Sequence, residues 1–261
     1  MTLVEGLRLG EELAGCRLRV ETFAHSPRLA RTERGRRLVT AMREKGVSEL
    51  YVTDEVMDSL GTVESPQGFC ALAEVPEQPP EAELGRVLAE QALTGHRDEA
   101  PASRPRPIRG VALVLDRIQD PGNVGTLVRT AEAFGAGPVV LLGGADPFGP
   151  KAVRASMGSI LRHPVYVGRD GPSLLRGLRA LGFRLLAAGV RAGASLHRLD
   201  FFTAPTAVLI GSEAEGVAPE LLGLVDHELN IPMPGGTESL NAAVAGSIVL
   251  YEAYRRSALR P

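Results

Sequence analysis

"LDRIQDPGNVGTLVRTAEAFGA", Leu115 to Ala136, decides how this chain is built. An apolar run ends in Asp116, a Pro-Gly turn follows, and an apolar stripe begins near Val124. Val124, Leu127, Val128, Ala131 and Phe134 recur at helical spacing, so the stretch reads as strand, turn, helix. Asn123 stands where a helix cap belongs, and its amide suits either backbone capping or a functional contact. Arg129 lies about one turn further on, near the carboxyl edge of its strand, where ligands bind in open α/β sheets. It is read either as a surface arginine or as part of a site.

The same alternation continues outward. Strands are predicted at 111–115, 138–142, 164–167, 184–189, 207–211 and 228–232, with helical patterns between several of them. That predicts an α/β unit with a mostly parallel sheet covered on both faces. "LTGHRDEAPASRPRPIRG", 93–110, has no apolar period and three prolines, and reads as a linker. Before it, strands at "RLRVETF", "ELYVT" and "FCALAEV" and helices around Val4–Leu13, Arg34–Glu44 and Asp54–Leu60 predict a small α/β unit. The expected division is 1–92, a linker over 93–107, and 108–261.

Two further stretches attract chemistry. In "AVLIGSEAEGV", 207–217, a strand runs into Gly211, Glu213 and Gly216, and glycines around an acid let backbone approach a ligand. "IPMPGGTESLNAAVAGSIVLYEAYRR", 231–256, joins a strand end to a glycine turn, then places Ser239 and Asn241 at a helix mouth. Leu240, Ala243, Val244, Ile248 and Tyr251 are expected to be that helix's buried stripe. Neither G-x-G-x-x-G nor G-K-[ST] occurs, which argues against a dinucleotide oxidoreductase or a P-loop enzyme.

Composition narrows the class. The chain has 261 residues and a net charge of −2. No apolar run approaches the roughly 20 residues of a bilayer span. The opening "MTLVEGLRLGEELAG" lacks a signal pattern, so a cytoplasmic protein is expected. Cys16 and Cys70 read as free buried thiols, and the five histidines form no metal cluster. Ser26 to Lys45 carries seven basic residues against two acids. Arg34, Arg36 and Arg37 there are candidate phosphate contacts.

Taken together, in this order and spacing, the three stretches resemble the motifs of the SpoU (TrmH-like) RNA ribose 2′-O-methyltransferases of the SPOUT superfamily. Asn123 and Arg129 match the first motif. Gly211, Glu213 and Gly216 match the second, and Ile231, Pro232, Met233, Ser239, Leu240 and Asn241 the third. "VRASMGS", 153–159, resembles a further family segment through Arg154, Ser156 and Gly158, and Arg154 is taken as an RNA contact. "VEG" and "ESPQGFCALAEV" resemble the ribosomal-protein-like RNA-binding domain many members carry, and the usual leading helix is expected to be short or missing. Ala242 and Ser212 depart from the common pattern without removing a functional group.

The resemblance implies a C-terminal trefoil knot, where topology rules alone predict an unknotted sheet. It implies S-adenosylmethionine as methyl donor, held by Gly211, Ile231, Met233, Ser239 and Leu240. It implies a homodimer through the C-terminal domain that completes the active site. Arg129, Asn123, Glu213, Ser239 and Asn241 are the expected catalytic set, and neither a metal nor a membrane is involved. Ribosomal RNA is the favoured substrate. Transfer RNA, a ribosomal target in antibiotic resistance, or non-catalytic RNA binding are the alternatives.

Overall fold

A computed structural model describes residues 1–62, 66–94, 107–189, 193–197, 201–235 and 237–258. Most of the expected linker therefore lies outside the described residues.

The first sheet holds β1 (Thr2–Glu5), β2 (Val20–His25), β3 (Ser48–Tyr51) and β4 (Phe69–Ala73), in the order β1-β4-β2-β3. Strand β4 runs antiparallel to β1 and β2, while β3 runs parallel to β2. Helices α1 (Leu7–Gly15), α2 (Pro27–Ala30), α3 (Glu33–Glu44) and α4 (Asp54–Leu60) complete this unit. Leu9 and Leu13 of α1 and Leu38 and Met42 of α3 join Phe23 and Phe69 in one apolar cluster. On the opposite sheet face Met57 of α4 packs on Ala24 and Cys70. The helix expected from Val4 begins only at Leu7. Residues 2–5 pair with β4, and Gly6, at φ +91°, turns the chain between strand and helix.

The second sheet contains β5 (Val111–Asp116), β6 (Val139–Leu142), β7 (Val165–Gly168), β8 (Arg184–Gly189), β9 (Ala194–Ser195), β10 (Thr206–Gly211) and β11 (His227–Asn230). Its order is β7-β6-β5-β10-β8-β11-β9, and every pairing is parallel. The mostly parallel α/β unit expected from the sequence is present. Six helices belong to it among the described residues: α5 (Glu81–Thr94), α6 (Pro121–Phe134), α7 (Pro150–Ala155), α8 (Gly171–Ala180), α9 (Pro219–Leu222) and α10 (Ala242–Ala258). Alternate side chains of β5 enter opposite layers. Leu113 and Leu115 pack with α6, α7 and α10; Ala112 and Val114 pack with α5, α8 and α9.

Helix α5 matters for the domain division. Its Leu84, Leu88 and Ala92 pack with Ala112, Val114 and Leu178 of the second layer system. The expected first segment, 1–92, thus includes a helix that covers the second sheet.

The two sheets are also joined directly. Val4, Leu13 and Phe23 share one continuous apolar cluster with Leu113, Val153 and Ile160. Thr2 Oγ1 donates to the Phe148 carbonyl at 2.6 Å. Arg154 of α7 reaches across, 3.0 Å from Glu5 Oε2 and 2.7 Å from Thr62 Oγ1. Arg162 bridges Glu12 of α1 and Glu132 of α6. The Glu5 side chain is only 4% exposed, so Arg154 is what balances a buried carboxylate. Thr62 N and Oγ1 also donate to Glu5, so Arg154→Ala removes one charge-assisted bond and should cost about 1.5–3 kcal/mol. Adding Glu5→Gln should recover part of that loss, as chemical denaturation of both variants will show.

Candidate functional site

In a parallel sheet all strand ends point the same way, so the carboxyl ends of β5, β8, β10 and β11 form one edge. A cleft of about 680 Å³ opens there. Its apolar walls include Ile210, Ile231, Met233 and Leu240; its polar rim includes Glu213 and Ser239.

The turn after β10 closes on itself. Ser212 N donates to the Gly216 carbonyl at 3.1 Å, and Gly216 N returns a bond to the Ser212 carbonyl at 2.9 Å. This folds Gly216 back over Gly211, so that a Cβ on Gly211 would lie 2.0 Å from the Gly216 carbonyl carbon. Only glycine fits at 211, and the close backbone approach read from the sequence is made first to the chain itself.

Three contacts tie this turn to the loop that leaves β5. Asp116 Oδ2 accepts from Ala218 N at 2.7 Å. Arg117 Nη1 donates to Glu215 Oε2 at 2.8 Å. Asn123 Nδ2 donates to Glu213 Oε1. Asn123 does not cap α6 as its position suggested. Asp120 does, accepting from Gly122 N at 3.1 Å, with Pro121 at the first helical position. Lys151 hydrogen-bonds Asp120 at 2.8 Å and holds that carboxyl below its usual range.

Asn123 is therefore the middle of a relay. Its Oδ1 accepts from Asn241 Nδ2 at 3.0 Å. Asn241 Oδ1 in turn accepts from Ala243 N at 2.9 Å and Val244 N at 3.2 Å, capping α10. Glu213, Asn123 and Asn241 thus come together from three separate stretches, and their bonds fix both amide orientations. Such a relay orients groups. Ser239 makes no part of it and stands exposed on the cleft wall.

Arg129 lies elsewhere. It is exposed in a second groove, about 630 Å³, between α6 and α10, beside Phe134, Val244, Ser247, Ile248 and Tyr251. Among the described residues it has no hydrogen-bond or ion-pair partner. The stripe expected to be buried on α10 is partly this open face: Val244 is 48% and Tyr251 53% exposed. The buried stripe is Ala242, Ala243, Val249, Leu250 and Ala253. Gly246 lets α10 approach α6, since a Cβ there would sit 2.4 Å from Leu127 Cδ2.

The other candidates have local partners. Arg154 forms the inter-sheet contact to Glu5 in place of an open basic surface. Arg34 pairs with Glu11 at 2.6 Å, Arg37 pairs with Glu33, and Arg36 donates to the Ala30 carbonyl. Cys70 is buried and Cys16 only half-buried, both as free thiols. The sequence reading passed over Arg117 and Glu215. A buried acid closing an otherwise apolar strand, Asp116, was the available signal.

Comparisons with known proteins bear on the chain as a whole. Residues 110–251 match the model of the SpoU rRNA Methylase family. The chain is 39% identical over 181 residues to an uncharacterised tRNA/rRNA methyltransferase of Synechocystis, covering 66% of each chain and so just under two thirds of that relative's length. It is 32% identical over 209 residues to the 23S rRNA (guanosine(2553)-2′-O)-methyltransferase RlmP of Bacillus subtilis, covering 80% of this chain and 73% of that one. The crystal structure of the SpoU methyltransferase AviRb from Streptomyces viridochromogenes, in complex with AdoMet, superposes with a TM-score of 0.76 at 26% identity, covering 98% and 90% of the two chains. Both sheets share in that likeness, and the chain belongs to the SpoU rRNA methylase family.

Proposed function

We propose that this protein is an S-adenosylmethionine-dependent RNA methyltransferase that methylates a ribose 2′-hydroxyl, with ribosomal RNA as substrate. The observation that carries the reading is the convergence of Asn123, Glu213 and Asn241 beside a cleft at the carboxyl edge of the sheet. RlmP of Bacillus subtilis, a 23S rRNA 2′-O-methyltransferase by name, supports ribosomal RNA.

The cleft suits the methyl donor. Its volume falls within the roughly 300–1,000 Å³ of small-molecule sites. Ile210, Ile231, Met233 and Leu240 offer apolar faces to a flat purine, and the strand ends offer backbone groups. S-adenosylmethionine supplies a methyl group on a sulfonium, already a good leaving group. The protein's task is then to position the hydroxyl and ease removal of its proton. Arg129 orients and stabilises through its planar fork; a guanidinium holds its proton too firmly to serve as a literal base. Asn123, Glu213 and Asn241 hold the loops on which this depends, and Ser239 faces the reacting end.

Arg129 and the cleft are separate in one chain, which fits a homodimer through α6 and α10. The unpartnered arginine and the exposed Val244 and Tyr251 share one groove. A C-terminal knot belongs to the same reading. Strand β10 inserts between β5 and β8, and the chain then crosses to β11 on the far side of β8 before α10 returns to α6. The first sheet and its helices form the RNA-binding unit, with a boundary near Glu74–Pro80, before α5. Arg34, Arg36 and Arg37 are exposed on α3, and exposed ion pairs are weak enough for phosphate to replace the carboxylates. The reaction is placed in the cytoplasm with its RNA. Among the described residues no helix is long and apolar enough to cross a membrane.

Methyl transfer to ribosomal RNA, mapped at nucleotide level with and without the gene, tests the reading directly. Arg129→Ala should lower single-turnover methyl transfer by at least about a hundredfold, the scale of a lost catalytic group. Melting should shift little, and Arg129→Lys should not rescue, because lysine lacks the fork. Tyr251→Arg with Val244→Arg should convert a dimeric mass in light scattering to that of one chain. Replacing Arg34, Arg36 and Arg37 together by Ala should flatten the dependence of RNA affinity on salt while leaving cofactor affinity unchanged.

A further inference from the structure

We propose that Arg117 is a positioning residue for the methyl-donor cleft: it bridges the loop leaving β5 and the turn leaving β10, and so holds that turn in the shape that receives the cofactor. The inference rests on the functional reading above and names a residue that the motifs leave unassigned.

The backbone supplies the first argument. Arg117 sits at φ +55°, a left-handed conformation that favours glycine and is uncommon for a long side chain. Strain of this kind persists where the surroundings over-determine it, and it clusters at ligand clamps. Its own amide is committed, donating to the Leu142 carbonyl at 3.0 Å, and its carbonyl accepts from Gln119 Nε2 at 3.2 Å. The backbone is thus pinned on both sides in a shape that glycine would adopt without strain.

The side chain supplies the second argument. Nη1 lies 2.8 Å from Glu215 Oε2, and Nε lies 3.4 Å from Oδ1 of the buried Asp116. Nε and Nη2 are buried and make no hydrogen bond. A guanidinium held under such incomplete satisfaction is an expensive way to decorate a surface. Glu215 lines the cleft, and it lies within the same closed turn as Glu213. Asn123 holds that turn through Glu213, Asp116 holds the chain just beyond it through Ala218, and Arg117 supplies the third attachment. Releasing it frees one side of a turn whose two cross-bonds, Ser212 to Gly216 and back, are otherwise short-range.

The test is a double-mutant cycle on the full chain, with Arg117→Gly and Glu215→Ala. Arg117→Gly relieves the left-handed backbone but removes the ion pair to buried Asp116 as well as the bridge to Glu215, so its melting temperature should change little. S-adenosylmethionine should bind at least about fivefold more weakly to each single variant, and the double variant should be no worse than the singles, since both remove one interaction. Arg117→Lys, which keeps the charge on a different geometry, should recover part of the affinity. Amide exchange at Gly216 provides a readout independent of any cofactor and should quicken in both single variants. If both singles bind like wild type, if their effects add, or if Gly216 exchange is unchanged, Arg117 is not a positioning residue. If the wild type itself binds no S-adenosylmethionine, the functional reading fails, and Gly216 exchange alone decides whether the bridge holds the turn.

Discussion

The loop after β5 and the turn after β10 are fastened to one another, and the functional architecture depends on that fastening. The two strands are adjacent and parallel, pairing from Val111↔Thr206 to Asp116↔Gly211. Their ends therefore emerge side by side at the same edge. Gly211 allows the following turn to fold back within contact of its own strand, and Asp116, buried at the end of β5, takes the Ala218 amide. The Asn123–Glu213 bond closes the gap, and Asn241 extends it to α10. Three loops distant in sequence are thereby locked by side chains that carry little intrinsic reactivity. What they provide is geometry. That suits a reaction whose leaving group is already activated and whose demand on the protein is placement.

The small unit is bolted to the large one. Arg154 inserts between Glu5 and Thr62, and Arg162 ties α1 to α6 through two glutamates. Helix α7, which carries Arg154, packs against α6 so closely that a Cβ on Gly125 would fall 2.4 Å from the Ala152 carbonyl oxygen. Helix α6 carries both Asn123 and Arg129. A short path of packed elements therefore runs from the first sheet to the site. Under the proposed function, an RNA bound by the first unit would meet α6 at a set distance, where a free linker would have left that distance open.

Charge shows how far a linear count can mislead. The segment 26–45 is strongly basic on its own, but Arg28 is neutralised by Asp58, Arg34 by Glu11 and Arg43 by Glu49. Those acids come from α4, α1 and β3, and folding brings them there. Arg43 and His25 together hold the Glu49 carboxyl down at about 2. The basic character of this segment is thus largely balanced within the fold.

The sequence by itself determined the alternation of strands and helices after residue 110, the parallel sheet, and the three stretches that meet at its edge, because apolar periodicity and glycine turns are local properties. It also determined Asn123, Glu213 and Asn241 as residues of interest through the motif resemblance. Tertiary structure alone decided what each does. Asp120, three residues earlier, caps α6 and so frees the Asn123 amide for the relay. Val244 and Tyr251 fit a helical stripe, but periodicity cannot tell which of two apolar faces the chain covers, and α10 turns that one outward. Arg154 became a clasp because Glu5, almost 150 positions away, is buried beside it. Arg117 carried no motif at all. Its meaning depends on a positive φ and on Glu215, 98 residues further along the chain, and neither is encoded within a window that local pattern can read.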